Sequence, residues 1–200
     1  MTVTSESHHA NDLVSHLYKA TLPVHEELDR QTMSAEPFVN RASYERLLRM
    51  HYCLQRDFEP LYHDEALKQR LSDLESRSRF AAVTQDMADL GLDLPVNDQP
   101  LALPLLDVAE SVGWLFVLEG SRLGGRSMLR RALELGLSES FGARHLAGTA
   151  GGVSHDWHVF SRIVSALPFN DEERERAMVG ASSAFEHCIL LVQRYLLSAA

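Results

Sequence analysis

A chain of 200 residues with 45% hydrophobic content is long enough to bury one core and a ligand pocket, so a single domain is expected. Its 28 acidic residues against 19 Lys and Arg give a formal charge of -9, which argues against nucleic-acid binding, because phosphate contacts demand a basic face. No stretch approaches the roughly 20 apolar residues of a membrane span, and the polar start Met1 to Asn11 lacks a signal-peptide core, so a cytoplasmic protein without a membrane partner is expected.

Apolar spacing is helical almost throughout and never alternates as a half-buried strand requires, which predicts an all-α fold. Residues 1-10 read as a flexible N-terminus ahead of one domain over 11-200. A first helix is expected over about Asn11 to Arg30, with Pro23 kinking it or splitting it after Thr21. A loop follows around Thr32 to Asn40. Further helices are predicted over about Ser43 to His63, with Pro60 near the end, and over about Lys68 to Gly91, where Gly91 serves as the cap. Pro95, Pro100 and Pro104 mark a connector. The longest pattern runs from about Leu105 to Leu135 and closes at Gly136. Five of the 11 glycines lie between Gly136 and Gly152, which reads as a mobile loop. A helix over about Ser154 to Leu167 comes next, and Asn170-Asp-Glu-Glu173 has the form of a capping box opening a final helix to about Leu197. Cys53 and Cys188 are the only cysteines, without CxxC or CxxCH spacing, and are expected to be buried thiols.

Inside the longest pattern, Leu118-Glu-Gly-Ser-Arg-Leu-Gly-Gly-Arg126 holds three glycines. Each costs roughly 0.5 to 1 kcal/mol against Ala in a helix interior, which calls for a return in function or packing. Gly120 and Gly124 share a face at i and i+4, where the missing Cβ admits either a flat ligand or a second helix. A second candidate is His25, with Asp29 one helical turn later. A carboxylate accepting from one imidazole nitrogen fixes the tautomer and leaves the other free for a metal, although the same spacing serves an ordinary hydrogen bond.

Together these segments resemble one family. Lys19-Ala-Thr-Leu-Pro-Val-His25-Glu-Glu-Leu-Asp29 is similar to the proximal helix of haem oxygenases, in which an ATxxxH sequence carries the iron-ligating histidine. Gly113-Trp-Leu-Phe-Val-Leu-Glu-Gly-Ser-Arg-Leu-Gly-Gly125 resembles the distal helix of bacterial members, including those encoded beside bacteriophytochromes. Trp157-His-Val-Phe160 and Ala184-Phe185 are similar in kind to the family's C-terminal half. The resemblance implies a haem oxygenase-like helical bundle holding haem b, at once prosthetic group and substrate, between the His25 helix and a kinked distal helix. It implies His25 as the metal ligand and Gly120, Ser121 and Gly124 at the reacting face. Tyr18, Asp29, Phe116, Gly125 and Arg131 are the further expected haem contacts, Arg131 as a propionate partner. The implied reaction uses dioxygen and yields biliverdin, carbon monoxide and ferrous iron. Electrons are expected from outside, from a ferredoxin or a reductase, because no GxGxxG segment is present. A bacteriophytochrome is an implied recipient of the biliverdin.

Two positions depart from part of the family: Ser121 stands where animal and some bacterial members carry an Asp that organises distal water, and Tyr18 stands where other members carry a propionate-binding Lys. Arg122, Arg126 and Arg130 form an i, i+4, i+8 stripe that offers a docking face for an acidic electron donor, or else a solvated helix face. The competing readings are a non-catalytic haem carrier of the same fold and a ferritin-like di-iron bundle. The latter needs two Glu-x-x-His motifs, and only Glu6 to His9 matches.

Overall fold

The computed structural model describes residues 12-95, 107-149 and 151-198, and the expectations for residues 1-11, Pro100 and Pro104 fall outside these. The described residues form eight α-helices, with no strand beyond isolated bridges from Ser138 to Phe141 and Gly142. Helix α1 (Leu13–Ser34) starts on Asp12, whose side chain accepts from the Val14 amide. It runs without interruption through Pro23, so the expected split after Thr21 does not occur. Leu13, Leu17 and Thr21 bury one face of α1, and the helix packs along α8 (Asp171–Val192), burial that holds its line past the lost hydrogen bond.

Helix α2 (Arg41–Tyr62), capped by Asn40, supplies Tyr44, Leu47, Leu48, Phe58 and Tyr62 to the core. The helix expected over Lys68 to Gly91 is broken. Only α3 (Glu65–Lys68) and α4 (Phe80–Asp89) are α-helical, with a 3₁₀ turn at Glu75–Arg77 between them. Leu67, Leu71 and Leu74 are all buried, and their spacing mimics a helix because successive three-residue turns keep nearly the same side-chain phase. At the end of α4, Gly91 adopts φ +66° and the Leu92 and Gly91 amides donate back to Met87 and Ala88, the capping predicted there.

Helix α5 (Val108–Ser121) opens with an Asp107–Glu110 capping box and is buried on every side from Ser111 to Glu119. It crosses α8 with the two backbones in contact. A Cβ on Gly113 would lie 2.0 Å from the Ala177 carbonyl oxygen, and one on Gly180 would lie 2.1 Å from that of Glu110. After α5 the chain tightens into a 3₁₀ turn at Arg122–Gly124 and resumes as α6 (Gly125–Glu134), so the long predicted helix is present but kinked at its glycines. Gly136, at φ +76°, closes it as expected.

The glycine-rich stretch after Gly136 is a packed turn and not the mobile loop expected from composition. Ala143, His145 and Leu146 are buried, and the fully buried Asp86 carboxylate accepts from the Arg144 and His145 amides at 3.1 and 2.9 Å. That carboxylate anchors the stretch in a way no local pattern reports. Helix α7 (Val153–Ser165) follows. Both bonds of the Asn170–Glu173 capping box are formed, and α8 passes into a π turn ending at Leu197.

Replacing Gly180 with Ala drives a methyl group into the Glu110 backbone and is expected to destabilise the protein by roughly 3 kcal/mol, measured as a lowered urea midpoint.

Candidate functional site

A cavity of about 310 Å³ opens between α1, α2, the α5–α6 junction and α8. Tyr18, His25, Asp29, Phe116, Gly120, Ser121, Gly124 and Gly125 all line it, so residues far apart in sequence converge as expected. Its wall is largely aliphatic and aromatic. Phe116 is buried with its ring 5.6 Å from that of Trp157, and Phe185 of α8 meets the His25 ring edge-on at 5.8 Å.

The glycines divide into two kinds. A Cβ on Gly120 would come no nearer than 3.6 Å to the Trp157 ring, and one on Gly124 would meet only the Met128 methyl at 3.4 Å. Both contacts are ordinary, so no packed helix requires these glycines, and the open space beside them is the cavity. Gly125 is different: a Cβ there would sit 2.7 Å from the Leu146 carbonyl oxygen. It lines the cavity, yet its lack of a side chain serves the close approach of the Arg144–Leu146 turn.

Several expected roles need correction. The nearest approach of His25 Nε2 to Asp29 Oδ2 is 3.8 Å, longer than a hydrogen bond, and both side chains are substantially exposed, so Asp29 does not fix the imidazole in this arrangement. Arg131 is not part of the cavity wall. Its guanidinium lies over the Phe38 ring at 4.7 Å, with Nη1 3.8 Å from Met33 Sδ, and cation–π stacking outside the cavity takes the place of the propionate role. Ser121 lines the cavity, but its hydroxyl donates to the Leu118 carbonyl at 2.7 Å, so its proton is committed to its own helix. Tyr18 stands exposed at the cavity edge.

Arg122 leaves the proposed surface stripe altogether and turns inward to a buried charge network. Glu119, 2% exposed, accepts from Arg77 Nη1 and Arg122 Nη1 at 3.1 Å each on Oε2, and from the Tyr62 hydroxyl at 2.7 Å on Oε1. Arg122 also donates to the Tyr62 hydroxyl and to the Arg77 carbonyl, while Arg77 Nη2 bonds Asp73 at 2.6 Å. Burial, followed by the Glu119 carboxylate, holds the Tyr62 phenol well above its usual range. The network fastens the kinked segment to α2 and to the Glu75–Arg77 turn. Arg126 and Arg130 remain exposed.

Three functional-looking residues escaped the sequence reading. His51 Nδ1 and His145 Nε2 are 2.9 Å apart, His145 Nδ1 is 2.8 Å from Asp86 Oδ2, and both imidazoles line the cavity. Burial, and secondarily His145, lowers His51 to about 3. These residues belong to three separate elements, and no local spacing announces them. Arg79 also lines the cavity, its basicity reduced by burial and by neighbouring Arg122.

Of the three imidazoles in the wall, His51 and His145 are bonded to each other, whereas His25 makes no hydrogen bond among the described residues. A family model described as Heme oxygenase matches residues 11–194. The chain belongs to the haem oxygenase family. It is 40% identical over 193 residues to the heme oxygenase PigA of Pseudomonas aeruginosa, covering 96% of this chain and 98% of that one. It is 30% identical to a heme oxygenase of Xanthomonas campestris over 74% of this chain and 88% of that one. Among solved structures, the NO- and CO-bound heme oxygenase of Neisseria meningitidis matches with a TM-score of 0.88 at 30% identity, covering 95% of this chain and 94% of that one. The heme oxygenase of Leptospira interrogans shares the fold, with a TM-score of 0.72 at 17% identity over 92% and 99% of the two chains. Haem is accordingly the substrate, and its oxidative degradation the reaction. The residues present suit such a molecule: an apolar cavity with a glycine wall that a Cβ would fill, and an imidazole free to ligate iron. Among the described residues no cluster of three or more His, Cys, Asp or Glu side chains is placed to hold a metal ion, and the Glu6 to His9 pair of the di-iron reading lies outside them.

In this haem oxygenase the Glu119 network supports the distal segment directly. Glu119→Gln leaves two buried guanidinium groups short of their anion, and a loss of roughly 3 kcal/mol in unfolding free energy is expected by denaturant titration.

Proposed function

We propose that His25 ligates the iron of haem b in the cavity and that the porphyrin lies against the backbone at Gly120 and Gly124. The observation that carries this reading is that both glycines line the cavity and that a Cβ at either would meet only ordinary side-chain contacts, from Trp157 and Met128, and no packed backbone. When bound, haem supplies the iron centre for dioxygen and also the macrocycle that is opened, giving biliverdin, carbon monoxide and ferrous iron. The protein's part is positional. Phe116 and Trp157 exclude water from one side of the site, and Phe185 restricts the rotation of the His25 ring. A neutral imidazole pushes less electron density onto iron than a thiolate would, which suits attack on the ring over early O-O cleavage. Propionate anchoring falls to cations in or near the wall, with Arg79 replacing Arg131 in that role.

The proposal includes an external donor of ferredoxin or reductase type and a cytoplasmic site of action. Arg126 and Arg130 remain as the exposed pair that favours an acidic donor. Delivery of biliverdin to a bacteriophytochrome is supported by the 113-125 resemblance alone. Among the described residues, no helix is long and apolar enough to cross a membrane.

His25→Ala is expected to abolish turnover and to remove the imidazole signature from the haem spectrum, and unchanged turnover contradicts the ligand role. Gly120→Ala separates ligand contact from packing. The haem-free protein is expected to gain up to about 1 kcal/mol in thermal or urea unfolding, because Ala favours the helix and meets no clash. Haem affinity is expected to fall roughly tenfold, since about 1.4 kcal/mol of misfit at the porphyrin face has that effect. Haem titration followed at the Soret band measures it. Adding ascorbate, or ferredoxin with reductase, then distinguishes the enzyme from a carrier: the enzyme loses the Soret band and gains biliverdin absorbance, whereas a carrier keeps the Soret band.

A further inference from the structure

The reduction of dioxygen by external electrons consumes protons, and the Ser121 hydroxyl has already spent its own on the Leu118 carbonyl. The other protonatable groups in the wall include His51 and His145, and the Asp86–His145–His51 geometry dictates where their protons sit. Asp86 is fully buried and accepts four bonds, from the Arg144 amide, Arg144 Nη1, the His145 amide and His145 Nδ1. The two amides and the guanidinium can only donate to this carboxylate, which accepts throughout, so the 2.8 Å contact is complete with the His145 proton on Nδ1. Neutral His145 then offers a lone pair at Nε2, and the 2.9 Å contact is complete only if His51 donates from Nδ1. This leaves His51 Nε2 bare, on a ring that lines the cavity.

The arrangement sits beside the distal segment. Leu146, the next residue after His145, lays its carbonyl against Gly125. We propose that Asp86, His145 and His51 form a proton-transfer chain that opens into the distal part of the haem cavity at His51 Nε2. Loading takes one proton from cavity water, itself in exchange with solvent, onto His51 Nε2 as the Nδ1 proton passes to His145 Nε2. The charge then rests on a doubly protonated His145 paired with the Asp86 carboxylate. Discharge reverses both transfers and returns one proton to water at the reacting face, with no change in oxidation state anywhere in the chain. Burial disfavours a charge on His51 itself, in keeping with its role as a conduit and with the storage of charge beside Asp86.

The inference rests on the cavity being the haem site, and its first test is independent of haem. Long-range proton–nitrogen correlation NMR on the full-length, ¹⁵N-histidine-labelled protein, free of haem and above neutral pH, reads both tautomers. The expected result is His145 protonated at Nδ1 only and His51 protonated at Nδ1 with Nε2 bare. A His51 proton on Nε2 in that state overturns the chain, because its cavity end then has nothing to accept with. The second test is His51→Gln, whose amide can still donate to His145 but cannot relay. Haem affinity and thermal midpoint are expected to be preserved while turnover falls roughly a hundredfold, and the solvent deuterium isotope effect on turnover is expected to rise. Retention of the parent's turnover and isotope effect overturns the proposal. Failure of haem to bind the unaltered protein would instead count against the cavity assignment, leaving the tautomer result to stand on its own.

Discussion

At the crossing of α5 and α8, Gly113 and Gly180 let one backbone lie directly on the other, and the rest of the site takes its position from that contact. An ordinary side chain at either place would push the helices apart. Seven residues, or about 10 Å of helix, separate Gly113 from Gly120, so the crossing sets where the end of α5 enters the cavity. The same α8 carries Phe185, whose ring meets His25 on α1, and α1 packs along α8. One helix thus locates both the imidazole and the distal backbone. The Glu119 network completes the frame by fixing the segment immediately after the crossing.

The glycines of the distal segment therefore perform different tasks that a shared residue type conceals. Gly113 and Gly125 admit protein backbone, whereas Gly120 and Gly124 face the cavity, where a Cβ would meet only the side chains of Trp157 and Met128 at ordinary distances. A parallel division holds among the histidines of the wall: His25 makes no hydrogen bond among the described residues, while His51 and His145 are joined in a chain anchored on Asp86. The Ser121 hydroxyl stands apart from this chain and donates to the Leu118 carbonyl of its own helix.

Much of this was legible in the sequence where local periodicity and local chemistry agree. The helical class, the capping box at Asn170 and the closures at Gly91 and Gly136 follow from spacing and from caps that act over one turn. His25, Phe116, Gly120 and Gly124 were legible as a set only through likeness to a family, since neither block alone separates ligand contact from packing. Reading failed where distant parts of the chain decide. Leu67, Leu71 and Leu74 keep a helical phase through a series of turns, and the stretch after Gly136 is held by the Asp89 and Asp86 carboxylates, 53 and 58 residues from the amides they accept from. Arg122, Arg126 and Arg130 look equivalent on a helical stripe, yet Arg122 alone of the three turns inward to a buried carboxylate while the other two stay exposed. His51, His145 and Asp86 carry no pattern at all, because their relation exists only in three dimensions.

In the proposed pose, a porphyrin occupies the cavity beside Gly120 and Gly124. Titrating the ¹⁵N-labelled protein with gallium protoporphyrin, a diamagnetic stand-in for haem, and following backbone amides by NMR tests it most directly. Ring currents fall off steeply with distance from the macrocycle, so the largest shifts are expected at the Gly120 and Gly124 amides, with Gly113 and Gly180 nearly unmoved. Large shifts confined to other elements, with Gly120 and Gly124 unchanged at saturation, would contradict the account.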